Sequence, residues 1–194
     1  MSETTSDRDK RPDDGRIIRR EVRLGDVRLR SQEIREEHLR AAKRTLRDIH
    51  RLETMAVEVY RAQWSPAPTE LNRQLIAAME NERAHQTDSL ARLMEFGGKP
   101  TPLRLPFYIA GRVMGRVSRV LGFRTMMRLG MWVEGKAIEH YHHLAAAMEW
   151  DAEVHPLVKQ MWEDEEAHYA RWRYYLEHPE EALAPPQRQF TPDD

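Results

Sequence analysis

The sequence predicts an all-α protein, a four-helix bundle closed by one long crossover that carries an extra amphipathic helix. Three observations lead there. Gly and Pro divide the chain into long stretches of unbroken helical pattern. Two of these stretches hold the tetrad E-x-x-H, Glu82 to His85 and Glu165 to His168, which sets a carboxylate and an imidazole one turn apart on one helix face. Two other stretches each hold a glutamate, Glu53 and Glu134, about as far before an interhelical turn as the next tetrad lies after it.

The elements follow from local signals. Residues 1–16 are rich in Asp and Arg and nearly free of large apolar groups, and they read as disordered. Ile17 to Arg30 alternates loosely through Ile18, Val22, Leu24, Val27 and Leu29, which suggests a short extended arm on the bundle. Residues 1–30 are thus a disordered or extended N-terminal arm, and 31–178 form the bundle. Ser31 offers an N-cap with Ile34 following, and no Gly or Pro occurs before Pro66, so the first helix should run over about 32–64. Pro66 and Pro68 mark a turn, and Thr69 caps a second helix over about 70–96 that Gly97-Gly98, Pro100 and Pro102 terminate. Residues 103–121 form the helix of the crossover. The third bundle helix spans about Phe123 to Met148. The fourth starts between Asp151 and Pro156 and ends before Pro179. The segment 179–194, with Pro185, Pro186 and Pro192, reads as a loose C-terminal tail.

Bulk properties narrow the function classes. A chain of 194 residues is one domain's worth, and a formal net charge of −1 gives no global field for nucleic acid. Cysteine is absent, which removes disulfides, thiolate nucleophiles and Cys-ligated zinc or iron and leaves Glu, Asp and His as metal ligands. No run of 18 uncharged apolar residues occurs and the N-terminus opens polar, so the expected location is the cytoplasm.

Spacing then tests the tetrads. Glu53 lies 12 residues before Ser65, and Glu82 lies 13 after Thr69. At 1.5 Å per residue both sit about 18–20 Å from one turn, level with each other in an antiparallel hairpin. Glu134 and Glu165 flank Trp150 and Asp151 in the same way. Two hairpins joined by one long span give an up-down-down-up bundle of ferritin-like topology. Four Glu and two His, with a lone Glu from each of two helices and Glu-x-x-His from each of two others, make the ligand set of a carboxylate-bridged pair of metal ions. The metal ligands predicted are therefore Glu53, Glu82, His85, Glu134, Glu165 and His168. Apolar neighbours such as Ile49, Val57, Val133 and Ile138 imply that these groups are buried, where unpaired carboxylates would be costly. A buried ion-pair network is the alternative, but it needs basic partners on the inward faces.

The motifs resemble those of the demethoxyubiquinone hydroxylase (COQ7-type) family within the ferritin-like di-iron carboxylate proteins. The first-helix pattern appears as His50, Glu53, Ala56, Tyr60 and Gln63. The V-E...H-Y stretch is similar to Val133-Glu134 with His140-Tyr141, and the D-E-E...H ending resembles Asp164-Glu165-Glu166 with His168. The crossover pattern resembles Gly98-Lys-Pro-Thr-Pro with Pro106, Gly111 and Gly115. The likeness extends over roughly residues 45–178. Leu52 and Met55 stand where the family usually has Gly, and Ile49 where it has Asp, so the pocket beside the metals is reshaped.

The resemblance implies two iron ions, with manganese as a substitute in an isolated or inactive form, and O2 as co-substrate. Glu82 and Glu165 would bridge, Glu53 and Glu134 would be terminal, and Tyr60 and Tyr141 would line the pocket or relay protons or electrons. The implied activity is an O2-dependent monooxygenase, a hydroxylase acting on a quinone-like or other hydrophobic aromatic or lipid substrate with an external electron donor, NADH or a reductase. A ferroxidase or rubrerythrin-like peroxidase, and a non-enzymatic metal-binding or structural helical module, are the alternatives. A homodimer is compatible with all of them.

Between Phe96 and Val133 there is no acidic residue, but there are seven basic ones: Lys99, Arg104, Arg112, Arg116, Arg119, Arg124 and Arg128. Arg112, Arg116 and Arg119 share one helix face, beside an apolar stripe of Ile109, Val113, Val117 and Val120. Residues 103–130 can therefore lie on an anionic membrane, peripheral to the inner face of the cytoplasmic membrane. The competing expectation is a lid packed on the bundle, its arginines in water or paired with the acidic fourth helix.

Overall fold

The computed structural model describes residues 27–32 and 34–186. It holds six helices among them: α1 (Glu36–Gln63), α2 (Glu70–Glu95), α3 (Arg104–Leu121), α4 (Phe123–Ala147), α5 (Val154–Glu177) and the single-turn α6 (Pro179–Leu183). α1 pairs with α2 and α4 with α5, two hairpins that face each other, while α3 lies along α1 and touches α4. This is the all-α bundle with a helical crossover that the sequence predicts. The stretch expected to be disordered, 1–16, lies outside the described residues, as do 17–26 of the arm. Residues 27–30 are non-helical and dock on the bundle: Arg30 donates its N–H to the Glu95 carbonyl and pairs with Asp151 at 3.0 Å.

Two boundaries differ from expectation. Ser31 does not cap α1; it lies in a turn beside Gly97, and α1 opens at Glu36 with no side-chain cap at Arg35. Glu36 and Glu37 in the first turn oppose the helix dipole instead. The tail is not loose from Pro179: α6 packs on α2 and α5, and the Ala184 carbonyl accepts the Glu70 N–H at 2.8 Å, closing an open donor of α2.

The other ends match their sequence signals. Thr69 accepts the Asn72 N–H at the start of α2, and Asn72 returns to Ser65 and to the Ala67 carbonyl, so one amide side chain ties the whole turn. At the far end Gly97 has φ +69°, with Gly97 N–H bonded to Met94 and Gly98 N–H to Leu93, a Schellman stop.

The core has two apolar clusters. One holds Leu46, Ile49, Leu93, Phe96, Leu144, Met148, Val158 and Met161; the other holds Val59, Leu71, Leu75, Met127, Trp172 and Tyr175. Tyr141 borders the first and Tyr60 the second. α3 is set close on α1 by its glycines. A Cβ at Gly111 would come within 2.4 Å of the Met55 carbonyl oxygen, and one at Gly115 within 2.5 Å of that of Val59. Gln63 donates to Ser118, and buried Glu58 on α1 pairs with Arg112 at 3.3 Å. Of the two arrangements expected for a lid, arginines in water or paired with the fourth helix, Arg116 is exposed, while Arg112 pairs with α1 rather than α5 because α3 lies against α1.

Gly115→Val should therefore force α3 from α1 and destabilise the protein by about 1–3 kcal/mol, seen as a lower midpoint in thermal unfolding. Val120→Ser, at a position 86% exposed, should leave the midpoint nearly unchanged.

Candidate metal centre

The bundle brings all six predicted ligands into one buried cluster. Glu53 comes from α1, Glu82 and His85 from α2, Glu134 from α4, and Glu165 and His168 from α5; Glu82, His85 and Glu134 are wholly inaccessible to solvent. Their ligand atoms form two groups, Glu53-Glu82-His85-Glu165 and Glu82-Glu134-Glu165-His168, each with all its ligand atoms within 4.8 Å of one another. Glu82 and Glu165 belong to both groups. His85 Nδ1 lies 3.0 Å from Glu165 Oε1 and 3.2 Å from Glu82 Oε2, and His168 Nδ1 lies 3.0 Å from Glu82 Oε1 and 3.7 Å from Glu134 Oε1.

The donor set fits a pair of cations. Glu82 Oε1, Glu134 Oε2, both oxygens of Glu165 and His168 Nδ1 are buried without a hydrogen-bond partner, although several lie close together. Protein hydrogen bonds do not satisfy these atoms. Converging carboxylate and imidazole lone pairs are what hard to borderline divalent metals need. Electrostatics agrees. Burial, with Glu82 and Glu165 nearby, holds the Glu53 carboxyl well above the usual range, and burial with Glu165 does the same for Glu134. Burial opposes charge on His85 and His168, but the adjacent carboxylates outweigh it. Asp164, Glu165 and Glu82 push His85 up, and Glu165 and Glu82 push His168 up to about 10. Without a cation the cluster takes protons, and metal binding must displace them.

The residues around the ligands repeat the same contacts with the hairpins exchanged. Tyr60 follows Glu53 by seven residues and donates its phenol to Glu134; Tyr141 follows Glu134 by seven and donates to Glu53. Both tyrosines are buried, so their position is that of carboxylate anchors between the hairpins. Trp172 adds a bond to the Tyr60 hydroxyl at 3.0 Å.

The second nitrogens of the histidines, for which sequence offered no partner, face the residue just before the opposite tetrad. His85 Nε2 meets Asp164 Oδ2 at 3.0 Å, and His168 Nε2 lies 3.3 Å from the Asn81 amide nitrogen. Asn81 Oδ1 has no partner, and half a turn of the amide would present it to the Nε2 proton of a histidine bound to metal through Nδ1. The signal was present in the sequence as Asn-Glu-x-x-His and Asp-Glu-x-x-His. His50 is also buried. Its Nδ1 sits 3.1 Å from the Gln86 carbonyl, while Gln86 donates to Thr54, a polar link between α1 and α2 beside the site.

Residues 40–171 match the family model described as "Ubiquinone biosynthesis protein COQ7". The chain is 30% identical over 110 residues to the 3-demethoxyubiquinol 3-hydroxylase of Janthinobacterium sp. (strain Marseille), covering 56% of this chain and 52% of that protein. The chain thus spans about half the length of the curated relative it matches.

Replacing Glu82 or Glu165 with Ala should abolish most metal binding, since each belongs to both groups. Asp164→Asn should weaken it by roughly 10–100-fold, and Glu177→Gln, on the exposed face of α5, should not change it. Titration with Fe(II) under anaerobic conditions, with metal content counted per chain, reads all three.

Proposed function

The chain belongs to the COQ7 ubiquinone-biosynthesis family, and on that premise we propose that it is a di-iron, O2-dependent hydroxylase of a quinone-like aromatic substrate. The observation that carries this is the pair of buried ligand groups sharing Glu82 and Glu165. Glu82 and Glu165, which belong to both ligand groups, would be shared between two ions, with Glu53 and His85 holding one and Glu134 and His168 the other. A di-iron centre supplies activation of O2 with electrons from an external donor, NADH or a reductase. The balance is one ring C–H converted to C–OH and the second oxygen atom released as water, with two electrons and two protons from outside.

The chain's own residues set the conditions for this reaction. Tyr60 and Tyr141 hold the terminal carboxylates in place with phenolic protons. Burial raises the Tyr141 hydroxyl well above its usual range, with Glu53 and Glu165 adding to the shift, so it remains a donor. Asp164 and Asn81 fix the ring orientation of the histidines. The two apolar clusters on either side keep bulk water from the centre.

α3 supports a membrane-facing role for the same protein. Ile109, Val113, Val117 and Val120 are each more than half exposed, and Arg112, Arg116 and Arg119 flank them. No described helix is long and apolar enough to cross a membrane, so the contact proposed is peripheral docking on an anionic surface, where a substrate with a hydrophobic tail resides.

Reconstitution with Fe(II), a chemical reductant and 18O2 should yield a quinol product carrying a single 18O atom; formation of ferric mineral alone would support a ferroxidase instead. In vesicle co-sedimentation, Val113→Glu combined with Val117→Glu should abolish binding to anionic liposomes while metal content stays at two per chain. Undiminished binding by that variant would refute the docking face.

A further inference from the structure

Where α1 ends beneath the last turns of α3, an open cleft of about 630 Å³ lies between them. Arg61 and Trp64 of the α1 side face Arg112, Arg116, Arg119 and Val120 of α3 across it. Arg61 is eight residues beyond Glu53, about 12 Å along the helix axis, so this cleft is separate from the metal centre. No acidic side chain lines it among the described residues.

Three of the four guanidiniums are held in fixed positions. Glu58, buried behind the cleft, pairs through one oxygen with Arg61 and through the other with Arg112. Arg112 also donates to the Tyr108 hydroxyl at 2.7 Å, and Arg119 donates to the Trp64 carbonyl at 2.7 Å. Arg116 has no partner among the described residues and is exposed. Four guanidiniums thus line one cleft while a single carboxylate, Glu58, pairs with two of them, and each holds N–H donors beyond those already bonded. Solvated arginines on a helix ordinarily spread apart to lessen repulsion. Here internal bonds hold three of them around a concavity that the fourth, Arg116, also lines, the arrangement of a preorganised anion site.

We propose that this cleft binds a phosphate ester. A phosphoryl group offers several oxygens and up to two charges to multiple guanidinium forks, a better match than one carboxylate. Trp64, 41% exposed, and Val120 at the rim provide an apolar wall for the body attached to the phosphate. Two sources share that chemistry, the headgroup of an anionic lipid and a soluble ester such as a nucleotide. The inference is independent of the reaction at the metal centre.

Calorimetric titration of the full chain with inorganic diphosphate tests it. The expected result is one saturable site per chain, weakened by about tenfold or more in Arg116→Ala and unchanged in Arg124→Ala and Arg128→Ala, which remove equal charge outside the cleft. Because Arg116 is exposed and unpartnered, the variant should keep wild-type unfolding behaviour and metal content. Absence of saturable binding, or equal weakening in all three variants, would overturn the site. A second arm finds the source. If diphosphate releases the protein from phosphatidylglycerol vesicles, and Arg116→Ala already lowers that vesicle binding, the cleft takes a lipid headgroup. If diphosphate binds but vesicle binding does not respond to it, the ligand is a soluble phosphate ester. Either result retains the site.

Discussion

Four carboxylates and two imidazoles are enclosed at the centre of the bundle, and the rest of the structure accommodates that charge. Removing carboxylates from water is costly unless each finds a cation or a donor. The protein supplies some donors itself: the phenols of Tyr60 and Tyr141 and the indole of Trp172. It leaves the inward oxygens of Glu82, Glu134 and Glu165 without any, and that incompleteness defines a place for metal. The apolar core is accordingly divided in two, one cluster on each side of the polar layer.

The same contacts occur twice with the hairpins exchanged, and this fixes the relation of one hairpin to the other. Each tyrosine crosses to the lone glutamate of the opposite hairpin, and each residue before a tetrad crosses to the opposite histidine. The repetition is incomplete at one pair. Asp164 places a carboxylate on His85, whereas Asn81 places a carboxamide near His168. A carboxylate partner raises the basicity of its imidazole more than an amide does, so the two halves of the centre are chemically inequivalent.

α3 connects this interior to the surface. Its glycine face rests on α1 from Met55 onward, about half a turn past Glu53 on the helix that carries that candidate ligand. Gln63, Ser118, Glu58 and Arg112 fix it with polar bonds. With one side anchored, the apolar stripe has no room in the core and faces outward beside the arginines. A helix clamped in this way presents a fixed rather than a hinged surface.

The sequence by itself determined the helices, their order and the six candidate ligands. Those signals are local: Gly and Pro punctuation, Thr69 before α2, a carboxylate and an imidazole one turn apart, and distances to a turn that set Glu53 level with Glu82. Two terminal details escaped it for the same reason. Ser31 has the right side chain for a cap but is drawn into the contact with Gly97, and the apparently loose 179–184 segment is held by an α2 N–H that only folding brings near. Tertiary structure alone decided the partners of His85 and His168, the crossing of Tyr60 and Tyr141, the choice of Glu58 as counterion for Arg112, and the outward direction of the α3 stripe. Each depends on which helix lies opposite. A periodic pattern gives the face a residue occupies, but the partner of that face is set by the packing of the two hairpins and by the approach that Gly111 and Gly115 allow.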